Sequence, residues 1–302
     1  MTGPRTVDTP DRAGSAVYRG LDQAALDREY RARDQVPDFT IYTRRYAEMT
    51  AAARASLAVH EGLSYGDSEA ETLDLYPAGE GAPLFVYIHG GYWRLLGRED
   101  SGFMAPAFVQ AGCAVAALNY GLAPAVTLDE IVRQCRAAVA WLWHKADRFG
   151  IDRRRIVVGG SSAGGHLAGM LLAPGWHAEL GVPEDVVAGG MAASGLFDLE
   201  PIRLSEINSW MSLDAETARR NSPLYKVPQG VGTPLVLTVG AHEQGEFKRQ
   251  TAEFAAAWRA AGNLVHEVPA PDRHHFDVVL DLADPASALF EATMRMTGGG
   301  GR

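Results

Sequence analysis

Residues 154–173, RRIVVGGSSAGGHLAGMLLA, set a glycine-rich turn between an apolar run and a small-residue, helix-like segment. Such a turn at a helix N-terminus has two uses, because its free backbone N–H groups bind either a phosphate or the oxyanion formed beside a nucleophile. The phosphate reading fails on composition. A P-loop requires G-x-x-x-x-G-K-[ST], and the stretch contains no lysine. A dinucleotide turn requires G-x-G-x-x-G near the first strand, whereas this turn follows the fifth strand-like run. Gly160-Ser161-Ser162-Ala163-Gly164 fits G-x-S-x-G instead, where small residues two before and two after the serine permit a backbone bend too tight for side chains. That register makes Ser162 the nucleophile and Ser161 a supporting turn residue. The Ala163 N–H, at the start of a helix, becomes an oxyanion donor.

Outward from this turn, short β-type runs alternate with helix-length amphipathic segments, the pattern of a mostly parallel sheet covered by helices on both faces. Strands are expected at about 57–65, 71–76, 84–88, 113–119, 155–160, 187–194, 234–240 and 264–268. The later runs are nearly all apolar, as strands buried on both faces should be, while the first two mix in polar residues and read as an antiparallel edge. The segment from Thr127 to Gly150 reads as a helix with Thr127 as N-cap and Glu130 at the capping-box spacing. Further helices are expected at 245–262 and around 277–296, the latter interrupted near Pro285. One domain over 19–296 follows, with a charged helical flank at 19–56 and an insert at 200–224 that is longer than a crossover needs and suits a lid. The flank's spacing allows a lid or a homodimer contact equally. The ends, 1–18 and 297–302, read as disordered.

The 302 residues are 47% hydrophobic and 22% charged, the balance of a soluble globular protein. With 28 Lys+Arg against 37 Asp+Glu the formal charge is −9, and arginine runs such as 28–34 and 147–155 carry acids among the bases, so nucleic acid is not an expected partner. No stretch has signal-peptide character or membrane-span length, which makes no membrane and a cytoplasmic location the expectation. Cys113 and Cys135 have neither disulfide-framework nor metal-site spacing and read as buried free thiols.

The remaining chemistry is ordered along the chain. YIHGGYW, residues 87–93, ends an apolar strand some 70 residues before the serine, where two glycines let the backbone approach a substrate carbonyl. His89 reads as a loop-ordering residue. A base must follow the serine, and DRHHFDVV (272–279), after the last strand, offers His274 and His275; His166 lies on the helix that begins at the nucleophile and His266 lies inside a strand. The orienting acid should follow the strand PLVLTVGA, which makes Glu243 the first candidate and Glu246 the second. Asp198 is an alternative acid, with capping of a helix near Glu200 as its competing role. Tyr92, Trp93 and Trp210 are candidate substrate-binding aromatics, with Trp176 in a further possible lid segment; ordinary packing competes for each tryptophan.

Together HGGYW (89–93), NYGLAPAVTLDEIV (119–132), GGSSAGGHLA (159–168), SGLFDLEPI (194–202), GAHEQGEFKRQ (240–250) and HHFDVV (274–279) resemble the kynurenine formamidase (arylformamidase) branch of the α/β-hydrolases, near the hormone-sensitive-lipase-like esterases. The likeness spans about residues 20–295. It implies the α/β-hydrolase fold, Ser162 as nucleophile, Glu243 as acid and His275, directly before Phe-Asp, as base. It also implies an oxyanion hole of the Gly91, Tyr92 and Ala163 N–H groups. Two positions depart from the family pattern: Glu243 stands where Asp is usual, and Gly121 stands where a larger residue is usual, which should widen the pocket. The activity implied is a serine hydrolase of small amides or esters, foremost an aryl formamide such as N-formylkynurenine. A short-chain carboxylesterase is the alternative, a non-catalytic binding protein on the same scaffold a minor one, and no cofactor or metal is required.

Overall fold

The computed structural model describes residues 15–298. All eight strand-like runs enter one sheet: β1 (His60–Ser64), β2 (Thr72–Tyr76), β3 (Ala82–Ile88), β4 (Ala114–Leu118), β5 (Ile151–Ser161), β6 (Gly189–Ala193), β7 (Leu235–Gly240) and β8 (Val265–Ala270), in the order β1-β2-β4-β3-β5-β6-β7-β8. The β1/β2 and β2/β4 pairs are antiparallel and every other pair is parallel. The helices are α1 (Gln23–Tyr30), α2 (Thr40–Ser56), α3 (Ala105–Gln110), α4 (Leu128–His144), α5 (Ala163–Leu171), α6 (Glu200–Leu204), α7 (Asn208–Met211), α8 (Ala215–Arg220), α9 (Gly245–Ala260) and α10 (Ala288–Met296). None of them is long and apolar enough to cross a membrane.

The period-2 alternation of each central strand divides the interior into two cores. Leu84, Val86 and Ile88 of β3 join the core that receives Ile131 and Leu142 of α4 and Leu167 of α5. Phe85 and Tyr87 join the opposite core, where Phe85 stacks on Phe108 of α3 and Phe108 meets Phe290 of α10. This two-sided burial explains why the central runs lack polar residues. At α4 the Thr127 hydroxyl accepts from the Glu130 amide at 3.4 Å, but the Glu130 carboxylate turns to Arg133 and Gln134. Half of the expected capping box therefore forms. Cys113 and Cys135 are both buried and unpaired.

Parallel strands linked by crossovers deliver their loops to one end, the C-terminal ends of the strands, and the functional residues gather there. The flank is drawn to the same end. Tyr30 of α1 donates its hydroxyl to Glu246 of α9 at 2.7 Å, and Arg31 grips Glu206 of the 200–224 insert through two bonds of 2.7 and 2.5 Å. Most of the two ends expected to be disordered, 1–14 and 299–302, lies outside the described residues. The rest departs from that expectation: Val17 N–H bonds to the Leu21 carbonyl, Tyr18 donates to Asp198 at 3.1 Å, and Thr297 is buried with its hydroxyl on the Met294 carbonyl. A tyrosine that packs on the core and finds a carboxylate orders a stretch that composition alone marks as loose.

Candidate active site

Between β5 and α5 the chain reverses within one residue, and that residue is Ser162, at φ 57° and ψ −119°. A non-glycine residue held there stores on the order of 1–3 kcal/mol of strain, and its neighbours show what over-determines it. A Cβ on Gly160 would sit 2.5 Å from the Ile88 carbonyl oxygen, and one on Gly164 would meet the same oxygen still more closely. The Ser162 amide donates to the Ala193 carbonyl of β6 at 2.8 Å. The elbow is thus wedged between β3 and β6, and Ser162 reaches the cavity at the strand ends. Ala163 follows as the first residue of α5, where the amides of an opening turn have no partner within the helix.

The turn after β3 faces this elbow. A Cβ on Gly90 would lie 2.7 Å from the Ser161 carbonyl oxygen and 3.3 Å from the Ser162 Cβ, so only glycine permits the approach. Gly91, Tyr92 and Trp93 follow with φ of 91°, 49° and 57°, which coils the backbone back so that the Gly91 carbonyl accepts from the Arg94 and Leu95 amides. His89 is buried behind the turn, stacked on Tyr120 with ring centroids 4.1 Å apart and with Nδ1 on the Gly90 carbonyl, the ordering part expected of it.

Glu243 and His275, from the loops after β7 and β8, meet: the imidazole Nδ1 donates to the Glu243 Oε2 at 2.7 Å. The other carboxylate oxygen accepts from the Ser194 hydroxyl at 2.6 Å and the Gly240 amide at 2.7 Å. Burial pushes the Glu243 carboxyl up, but the imidazole and these two donors outweigh it and hold the group below its ordinary range. An ionised carboxylate only accepts, so the Nδ1 proton is pinned and Nε2 is the nitrogen with a free lone pair. His275 and Ser162 line the same cavity. The competing acids are engaged elsewhere. Asp198 accepts from Tyr18 and from the Glu200 amide two residues on, although the N-cap of α6 is Leu199, and Glu246 serves Tyr30 and Arg249. His274 is turned to Tyr42, edge to face at 4.7 Å.

The cavity holds about 310 Å³. Tyr92 and Trp210 line it, Tyr92 bonded through its hydroxyl to the Tyr30 carbonyl and Trp210 through Nε1 to the Tyr92 carbonyl at 3.3 Å. Trp93 corrects its expected substrate-binding role. Its positive φ turns the indole into the core, where it is fully buried and donates to Nδ1 of His166 at 3.2 Å. Trp176 is likewise buried, stacked on His177. Gly121 does not widen the pocket: its missing side chain makes room for Val126 and the side-chain Oε1 of Gln134, which accepts from the Gly121 amide. Sequence reasoning missed Ser194, which nothing in SGLFD sets apart, and the walls built by Tyr30, Phe39, Tyr46 and Phe276.

The buried His166 carries a prediction. Nδ1 accepts from Trp93 and Nε2 donates to the Asn221 carbonyl at 2.7 Å, so the neutral ring is fully satisfied, and burial depresses its pKa to about 4. The unfolded ring binds its proton near pH 6.5 while the folded one refuses it until about pH 4, so stability present at neutral pH is lost between those values. The loss reaches roughly 3 kcal/mol at its acid end. Urea unfolding of His166→Gln, whose amide can keep both bonds, is expected to show a smaller drop in stability between pH 7 and 4.5 than the wild type.

The sequence has relatives among known proteins. The BD-FAE family model matches residues 73–180, a span that includes both glycine turns. Kynurenine formamidase of Salmo salar is 32% identical over 83% of this chain and 86% of its own, and kynurenine formamidase of Danio rerio is 30% identical over 82% and 85%. A solved structure from Silicibacter sp., assigned to the thioesterases, superposes with a TM-score of 0.78 at 32% identity, covering 89% of this chain and 98% of the other. With identity of this order over more than four-fifths of its length, the chain belongs to the kynurenine formamidase family of α/β-hydrolases, serine hydrolases of amide or ester bonds.

Proposed function

We propose that the chain is an arylformamidase, releasing formate from an N-formyl arylamine such as N-formylkynurenine. The observation that carries this reading is the 32% identity to a kynurenine formamidase along most of both chains. An aromatic-walled cavity that ends on Ser162 supports it. In the proposed reaction Nε2 of His275 takes the Ser162 proton as Oγ attacks the formyl carbon. The resulting oxyanion accepts from the Gly91, Tyr92 and Ala163 amides, where loss of one donor typically costs about 100- to 1000-fold. His275, held as imidazolium by Glu243, returns the proton to the nitrogen as the C–N bond breaks and the arylamine leaves. Water, deprotonated by the same imidazole, attacks the formyl ester and frees formate and Ser162. A cytoplasmic location belongs to the same proposal, supported by the two unpaired thiols.

Formate release from N-formylkynurenine, measured beside hydrolysis of p-nitrophenyl acetate, tests the assignment. The formamide is expected to equal or exceed the ester in kcat/KM. Ester turnover with no formate release would overturn the formamidase reading and leave a short-chain carboxylesterase using the same residues.

A further inference from the structure

The charged side chains that line the cavity are not all paired. Arg31, Arg33, Arg94, Asp100 and Glu206 line it. Glu206 is spent on Arg31, and the Asp100 carboxylate accepts from the Gly97 amide at 3.1 Å. Among the described residues no carboxylate lies within ion-pair distance of Arg33 or Arg94. With the ionised Glu243 behind His275 counted, the formal charges near the cavity balance, but Arg33 and Arg94 line it without an ion-pair partner, which favours an anionic ligand beside them.

Arg94 differs from an ordinary surface arginine in being held. Its amide bonds back to the Gly91 carbonyl, and its guanidinium carbon lies 4.2 Å over the centre of the Trp210 ring. The indole is itself fixed to the Tyr92 carbonyl through Nε1. Stacking on an aromatic face leaves the guanidinium N–H groups, which point outward in its plane, free to meet a planar carboxylate by two parallel bonds. The same turn supplies the Gly91 and Tyr92 amides assigned above to the oxyanion. One rigid loop thus presents donors to the scissile carbonyl and a cation a few residues away, so an acyl substrate with a carboxylate on its leaving group would be held at both ends.

We propose that Arg94, seated on Trp210, is a specificity-determining residue that binds a carboxylate carried by the leaving amine. The enzyme thereby selects anionic aryl formamides over neutral ones. The inference rests on the formamidase reading for its substrate, and a parallel ester pair separates the two.

The test compares kcat/KM for N-formylkynurenine, for 4-(2-formamidophenyl)-4-oxobutanoate, which keeps the carboxylate but lacks the amino group, and for 2′-formamidoacetophenone, which lacks both. In the wild type both carboxylates should exceed the neutral ketone. Arg94→Met should lower each carboxylate-to-neutral ratio about 10- to 100-fold, the range of a hydrogen bond to a charged group. The loss should lie mainly in KM, and Arg94→Lys should restore part of it. Raised salt should erode the wild-type preference. Equal ratios in wild type and Arg94→Met would overturn the proposal, as would a preference for the neutral ketone. If no formamide is cleaved, the formamidase reading has failed on its own. The ratio is then read on 4-acetoxybenzoate against phenyl acetate, where the same fall in Arg94→Met supports carboxylate binding and its absence refutes it.

Discussion

Ser162→Ala is expected to lower kcat by about 10⁶-fold on every acyl substrate, formamide or ester, while leaving the fold intact. The magnitude follows from what the substitution removes. Loss of the nucleophile in a serine hydrolase abolishes the covalent route, and the residual acceleration over water, about 10³- to 10⁴-fold, comes from the oxyanion donors and binding. The donors proposed here are backbone amides of the β3 turn and of α5, which alanine leaves in place. The elbow should also persist, because it is shaped by Gly160, Gly164 and the Ile88 carbonyl rather than by the hydroxyl. A serine-directed fluorophosphonate should label the wild type stoichiometrically and the variant not at all. Retained labelling would place the nucleophile on another serine, with Ser161 the neighbour to examine, and an unlabelled wild type would favour a binding protein on a hydrolase scaffold.

The parts of this site that were legible in the sequence are those whose cause is local. A G-x-S-x-G turn is a steric statement about five consecutive residues, and the collisions a Cβ would make at Gly160 and Gly164 are the reason the pattern exists. The strands were legible because burial on both faces removes polar residues from the run itself. Trp93 was not legible: its indole faces the core because the backbone coils there and because His166, 73 residues away, accepts its N–H. The cavity wall formed by the flank was hidden for the same reason. Tyr30 reaches across 216 positions to Glu246 and Arg31 across 175 to Glu206, and neither helical spacing nor charge reveals such partners. These contacts set the flank along the wall of the cavity that Ser162 also lines. Chain order ranked Glu243 ahead of Asp198 and Glu246, and what separates it in the structure is its contact with His275 Nδ1, with Ser194 and Gly240 donating to its other oxygen.

Glu243→Gln is expected to lower kcat by about 10⁴-fold, and the reason is the direction of a single N–H. The Gly240 amide is a fixed donor to one oxygen of Glu243, so a glutamine in this place must keep its carbonyl oxygen on that side. Its NH₂ group then faces Nδ1 of His275 at the position where the carboxylate now accepts. Two donors cannot share a hydrogen bond, so the imidazole must move its proton to Nε2. That nitrogen then has no lone pair with which to take the Ser162 proton, and an aspartate-to-asparagine change of this kind in a serine protease costs about 10⁴-fold. The substitution also removes the charge that stabilises the imidazolium. Glu243→Asp separates these effects, since it keeps the charge and the accepting oxygens but shortens the reach by one methylene. It should retain more activity than Glu243→Gln, with fluorophosphonate labelling slowed in the same order. A Glu243→Gln enzyme within about tenfold of the wild type would mean that the imidazole is oriented by some other group. Asp198 and Glu246 are poorly placed to be that group, because their oxygens already serve Tyr18 and the Glu200 amide, and Tyr30 and Arg249.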